Sequence, residues 1–283
     1  MATPIGTLAD ISLRAVHVLG LVQAVACEDT RVAATLLRHL GLHSPLLALH
    51  AHNEREAATS VLARLAAGES VAYISDAGTP AVSDPGAALV ALAAAAGHTV
   101  VPVPGASSAL AALSVAGDVG GKCGGGRDGG GFHFVGFLPA KGGERQTALA
   151  ATLSCAVTQV LFEAPHRIAA LAVDLAAAAP TRRVTLCREL TKQFETVVTQ
   201  AAAALPAWLA ADDNRLRGEF VLVLHAQAAT PEVGLPAATL RALTVLLREL
   251  PLKQAVALAA EITGAPRNAL YQQALAERRN TAD

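Results

Sequence analysis

The chain has 283 residues, 53% of them hydrophobic, and a mean hydropathy of +0.42, which excludes a disordered chain and a small disulfide-stapled scaffold. Its 22 basic and 23 acidic residues leave a net charge of -1, which excludes a uniformly basic nucleic-acid binder but not one with segregated charge. A prior of roughly 150 residues per domain points to two domains, each with its own core.

Cys27, Cys123, Cys155 and Cys187 are isolated, with no Cys/His set at metal-ligand spacing, so reduced thiols and no metal are expected. No charged region precedes an apolar stretch as a secretion signal requires. Residues 85–117 carry no charge, yet Gly97, Pro102, Pro104 and Gly105 break them below spanning length. A soluble cytoplasmic protein is the expectation.

Short β-rich runs alternate with amphipathic segments, the pattern of parallel α/β architecture. In the first part, strands are predicted at 22–27, 46–50, 70–75 and 99–103. Asp10 is placed as the N-cap of a helix whose apolar face holds Ile11, Ala15, Val18 and Leu19, and Gly41 and Gly68 mark helix ends. The run GGKCGGGRDGGG at 120–131 holds eight glycines in twelve residues, which reads as a flexible linker or surface insertion. It is no phosphate loop, because Ala116 stands at the first glycine position and Cys123 at the hydroxyl position.

Four more strands are predicted at 132–137, 157–162, 184–188 and 220–225, with helices at 142–153 and 168–179. The domains expected are therefore 1–118, an α/β domain; 119–131, the glycine-rich insertion; 132–228, a second α/β domain; and 236–283, a helical segment. In the last, residues 252–263 put Ala255, Val256, Ala259 and Ile262 on one face, Gly264 stops the helix and Pro266 suits the next first turn. Two helices about a glycine turn have a helix-turn-helix shape, as suited to a capping subdomain as to a nucleic-acid reader.

Ligands of open parallel sheets bind beyond the carboxyl ends of the strands, and those positions are densely polar here. The first domain offers Glu28, Asp29 and Arg31, then His52 and Asn53, then Asp76, Gly78, Ser83, and finally Gly105 and Ser107. Asp76, Ser83 and Ser107 supply hydrogen bonds for a small polar cofactor, while no GxGxxG opens a helix after any strand. The second domain supplies Lys141 and Arg145, then Glu163, His166 and Arg167, then Arg188 and Lys192. Cations at helix N-termini oppose the helix dipole, so a recurring basic set there suggests an anionic partner. Residues 1–118 hold 5 basic and 9 acidic residues, 119–192 hold 9 and 5, and 193–283 hold 8 and 9, so a basic middle sits beside an acidic first domain.

Collinear motifs then carry a family resemblance. Thr3-Pro4-Ile5-Gly6, Glu28-Asp29-Thr30-Arg31, His52-Asn53-Glu54, Ser75-Asp76-Ala77-Gly78-Thr79-Pro80 and Ser83-Asp84-Pro85-Gly86 lie in the first half. Gly136-Phe137-Leu138-Pro139, Phe162-Glu163-Ala164-Pro165-His166-Arg167, Arg188-Glu189-Leu190-Thr191-Lys192 and Arg217-Gly218-Glu219-Phe220 follow in the second. Together they resemble the ribosomal RNA small subunit methyltransferase I family, of the tetrapyrrole methylase superfamily.

The resemblance implies two α/β domains with S-adenosylmethionine in the cleft between them, a homodimer, and 2'-O-methylation of a cytidine in the decoding region of 16S rRNA. By motif, the cofactor would meet Pro4, Ile5 and Gly6; Asp76, Ala77, Gly78, Thr79, Val82 and Ser83; and Ser107. From the second domain it would meet Phe162, Ala164, Gly218, Glu219 and Phe220. The RNA surface is expected at Arg31, His52, Asn53, Lys141, Arg145, His166, Arg167, Arg188 and Lys192. Glu163 is placed as the general base, followed by Asp29 and Lys141. Only Met1 and Ala2 stand where the family has a full first strand, so one wall of the cleft is expected to be weakened. The rival readings are a tetrapyrrole C-methyltransferase and a non-catalytic RNA-binding relative.

Overall fold

The alternating runs of the first part become a small parallel sheet. The computed structural model describes residues 1–50, 54–83, 85–118, 121–123, 127–140, 142–227 and 237–280. Strands β1 (Ala24–Cys27), β2 (Leu46–Ala48) and β3 (Val71–Ile74) pair in the order β2-β1-β3, all parallel. Cys27 lies opposite both Ala48 and Ile74, so the three carboxyl ends open on one edge. Val25 and Cys27 face a core with Leu19, Leu37 and Ile74, and Ala26 faces the opposite core with Leu49, Val61 and Leu89. This two-sided burial is why the strand reads as an unbroken apolar run.

Helices α1 (Leu13–Leu21), α2 (Thr30–His39), α3 (Glu54–Ala66) and α4 (Ala87–Ala95) accompany this sheet, and α5 (Ser108–Ala116) follows them in the chain. Ser12, not Asp10, caps α1, its side chain accepting the Ala15 N–H, while Asp10 ends a single 3-10 turn. The strand expected at 99–103 does not form. Its one backbone link is Val103 O, which accepts from Ala2 N at 3.1 Å, too little for a ladder. Residues 1–3 bridge instead: the Met1 amino group donates to Tyr73 O at 2.8 Å and Thr3 pairs with Gly78.

The second sheet runs β4-β5-β6-β9-β7-β8, with β4 (Gly121–Cys123), β5 (Arg127–Phe137), β6 (Thr158–Glu163), β7 (Arg183–Arg188), β8 (Thr196–Ala201) and β9 (Phe220–Leu224). It is mixed, not parallel: β5 and β6 alone run parallel as neighbours, and every other pairing is antiparallel. Strand β8, absent from the sequence reading, was legible as the β-branched run TVVT at 196–199. The described parts of the glycine-rich run are extended, with β4 pairing against the start of β5.

One face of this sheet packs Leu161, Leu186, Leu222 and Leu224 against helices α6 (Gly142–Ser154), α7 (Ile168–Ala178) and α8 (Leu205–Ala210). The other packs Val160, Val221 and Val223 against Ala109, Ala112 and Ala116 of α5, and against Ile5. Elements from the first part of the chain thus cover the second sheet. Residues 1–227 form one compact unit and residues 228–283 a second. The second contains α9 (Ala237–Glu249), α10 (Leu252–Thr263) and α11 (Arg267–Asn280), closed over Leu243, Val256, Ala259, Leu270 and Ala274. Among the described residues no helix is long and apolar enough to cross a membrane.

Candidate functional site

Three segments interlock at the carboxyl edge of the first sheet. Thr3 and Gly78 exchange backbone hydrogen bonds of 2.9 and 3.1 Å, Thr3 Oγ1 donates to Ser75 O, and Thr79 Oγ1 donates to Ala106 O at 2.9 Å. The chain then crosses to the second sheet: Thr7 N donates to Thr191 Oγ1 at 3.2 Å, and Thr7 Oγ1 to Thr191 O. Gly6 is pressed so close to this turn that a Cβ there would stand 2.6 Å from Lys192 Cγ and Thr191 Oγ1. A side chain would push the two segments apart.

The edge encloses a cavity of about 510 Å³ lined by Thr3, Pro4, Gly6, Asp29, Arg31, Ser75 and Asp76. Leu8, Val32, Thr35 and Leu36 also line it and escaped the sequence reading. The spacing of Val32, Thr35 and Leu36 at i, i+3 and i+4 is the signal that places them on one face of α2. Asp76 Oδ1 accepts the Asp29 N–H at 3.0 Å, which aims the start of α2 at the cavity. The Arg31 guanidinium grips the Asp29 carboxylate with both Nε and Nη2, holding its pKa down at about 2. Asp29 is therefore a fixed negative charge and a helix cap, a poor proton acceptor near neutrality.

Other expected cofactor residues occupy different positions. Ile5 is buried against the second sheet, and Ala77, Val82 and Ser83 are exposed. Ser107 begins α5 without a side-chain cap bond. Phe162 stacks edge-on with Phe134 and Phe137, at 5.0 and 5.6 Å between ring centroids. Phe137 is 54% exposed, so an aromatic face remains open beside Ala164. Because β9 is antiparallel, its first residue Phe220 lies opposite both Glu163 and Arg188, which brings the Gly218 to Phe220 segment to the same edge. The Phe220 side chain points into the core with Leu138 and Leu149, so only its backbone faces the edge. Glu219 N donates to Glu189 Oε1 at 2.9 Å.

The basic set of the second sheet is largely internal. Glu163 has no exposed side-chain area, and its carboxylate lies 3.3 Å from Arg145 Nη1 and 2.8 Å from Arg167 Nε. It also accepts the Ala164 N–H at 2.9 Å. Arg167 Nη2 reaches Leu138 O at 2.6 Å, and Arg145 Nε reaches Asp174 at 3.2 Å. With its carboxylate committed to two guanidinium groups and a backbone N–H in a buried pocket, Glu163 orders the loops around it, a role that the geometry supports over that of the expected base. Arg188 is 9% exposed and donates to Arg217 O and Phe194 O. Arg145, Arg167 and Arg188 thus leave the expected RNA surface, because Arg145 and Arg188 are buried and Arg167 is largely so, each held by groups of the protein. Lys192 bridges Glu189 and Glu219 at 3.0 Å each. Arg31 and His166 are exposed, whereas His52, Asn53 and Lys141 lie outside the described residues.

Residues 2–206 match the Tetrapyrrole (Corrin/Porphyrin) Methylases, and residues 233–278 match the RsmI C-terminal HTH domain. The ribosomal RNA small subunit methyltransferase I of Pseudomonas aeruginosa is 49% identical over 97% of this chain and 95% of its own length. The chain belongs to the ribosomal RNA small subunit methyltransferase I family. The protein of that name from Neisseria meningitidis serogroup A is 46% identical, over 97% of this chain and 91% of its own. Among solved structures, diphthine synthase superposes with a TM-score of 0.59 at 16% identity, covering 79% of this chain and 88% of its own. Uroporphyrin-III-C-methyltransferase from Thermus thermophilus gives 0.53 at 18%, covering 79% and 91%. At these identities the structures share the fold alone.

Proposed function

We propose that this methyltransferase I family member transfers a methyl group from S-adenosylmethionine to the ribose 2'-hydroxyl of a cytidine in 16S rRNA. The reading is supported by the identity of 41–49% across nearly the whole chain to proteins named ribosomal RNA small subunit methyltransferase I. It carries with it a small-subunit substrate, a cytoplasmic location and a homodimer. Val100, Val101, Leu110 and Val115 are exposed apolar side chains that a second copy would cover.

The residues present fit the cofactor. Pro4, Gly6 and Asp76 line the cavity, and the carboxylates of Asp29 and Asp76 complement a sulfonium cation. When bound, S-adenosylmethionine supplies the methyl group and its own thioether leaving group. What remains for the chain is to hold the 2'-oxygen in line with that methyl and to take its proton. Among the described carboxylates of the cavity, Asp29 is gripped by Arg31, which leaves Asp76 as the acceptor. Lys141 is the further candidate for that proton and lies outside the described residues.

The test is methyl transfer from labelled cofactor to small subunits lacking the modification, followed by mapping of the labelled nucleotide. Label on one cytidine ribose supports the reading. Label on a tetrapyrrole substrate, or cofactor bound in calorimetry with no label transferred to rRNA, overturns it. Asp76→Asn is expected to lower kcat at least a hundredfold, with cofactor affinity measured alongside.

A further inference from the structure

The helix-turn-helix motif at the end of the chain is not used by the chemistry proposed above, yet its second helix has an unusual outer face. Helix α10 ends at Gly264, whose φ of 71° and N–H bond to Ala260 O make the turn that Cβ-bearing residues seldom adopt. Helix α11 then buries Leu270 and Ala274 in the three-helix core. Arg267, Asn268, Tyr271 and Gln272 are exposed and follow one another around one side of α11, Arg267 and Tyr271 flanking the buried stripe and Asn268 and Gln272 lying opposite it. No acidic residue occurs from Pro266 to Ala276. Arg267 has no ion-pair partner among the described residues, unlike Arg145 and Arg167.

We propose that this face of α11 is an RNA-docking surface for the rRNA substrate. It rests on the rRNA reading above. The chemistry is complementary in three ways. Arg267 supplies charge for phosphates, Asn268 and Gln272 supply donors and acceptors for base edges, and Tyr271, 38% exposed, offers a ring for an unstacked base. A second copy of the chain would instead be drawn to apolar surface, and the exposed Leu258 and Ile262 lie on α10, not on this face. The role assigned to this surface is holding the substrate, which is read in KM and not in kcat.

The experiment uses the full-length protein with small ribosomal subunits and with protein-free 16S rRNA. For the combined variant Arg267→Ala, Tyr271→Ala and Gln272→Ala, KM for subunits is expected to rise at least tenfold with kcat unchanged. Affinity for protein-free 16S rRNA is expected to fall and the slope of log K against log salt to become shallower by about one. Cofactor affinity by calorimetry stays at the wild-type value, and Arg267→Lys restores most of the lost RNA affinity. Arg267→Glu alone, at a fully solvated position, guards against misfolding of the combined variant. Unchanged KM and salt slope overturn the proposal. So does a loss confined to whole subunits, which would assign the face to a ribosomal protein, or a change in oligomeric state, which would assign it to a second copy. A wild type that binds 16S rRNA through this face but methylates none refutes the activity while upholding the surface.

Discussion

The arginines at the edge of the six-stranded sheet and those on the last helix are chemically the same residues put to opposite uses. Arg145, Arg167 and Arg188 turn inward, where every strong partner is a carboxylate or a carbonyl of the protein. Arg267 turns outward with no such partner among the described residues. The difference teaches that a basic stretch of sequence is an inventory of charge, not a map of where that charge is offered. In the middle of this chain, burial of a guanidinium is tolerable only because Glu163, Asp174 and the loop carbonyls surround it.

The largest effect that would break this contrast is at Glu163. Glu163→Ala strands Arg145 and Arg167 in a dry pocket and is expected to lower unfolding free energy by about 3–5 kcal/mol, read as a lower denaturant midpoint. If it were instead a solvated catalytic base, stability would hardly move. Arg188→Ala removes two charged hydrogen bonds to carbonyls and is expected to cost about 2–3 kcal/mol. The salt dependence of its RNA binding should match the wild type, which sharpens the distinction from Arg267.

A third effect comes from His225, which is buried with Nε2 at 2.7 Å from Thr185 Oγ1. Burial lowers its pKa, against the opposing pull of Asp118. The unfolded chain, with an ordinary value of about 6.5, takes up the proton first as pH falls. The stability that His225 contributes is therefore complete above about pH 6.5 and declines below it. His225→Gln should flatten the stability profile between about pH 6.5 and 5. At Asp29, Arg31→Ala should let the carboxyl titrate near its ordinary value of about 4 in place of about 2, seen by NMR. The smallest stability effect belongs to Arg267→Ala, expected within about 0.5 kcal/mol of wild type, while its RNA affinity falls.

Part of the cavity lining was legible before any fold was seen. Asp76 stood out because it follows a β-rich run, and Pro4 and Gly218 through the family resemblance; the structure puts Pro4 and Asp76 on the wall of one cavity. Glu163 and the arginines misled for one reason: a motif records which residue types stand together, and an ion cluster and an acid/base site use the same types. The direction of β9 was equally hidden. An apolar run such as FVLVL at 220–224 reads alike in either direction, yet its antiparallel course is what sets Gly218 and Glu219 beside Glu189.

By itself, the sequence determined the α/β class, the helical C-terminal segment and the family, because periodicity, glycine placement and motif order are local and survive without coordinates. Only the tertiary structure decided which charges are spent. Whether Arg145 meets an RNA phosphate or Glu163, and whether Asp76 meets the Asp29 N–H, depends on distances of about 3 Å between residues 18 and 47 positions apart in the chain. Burial then sets the strength of each of those contacts.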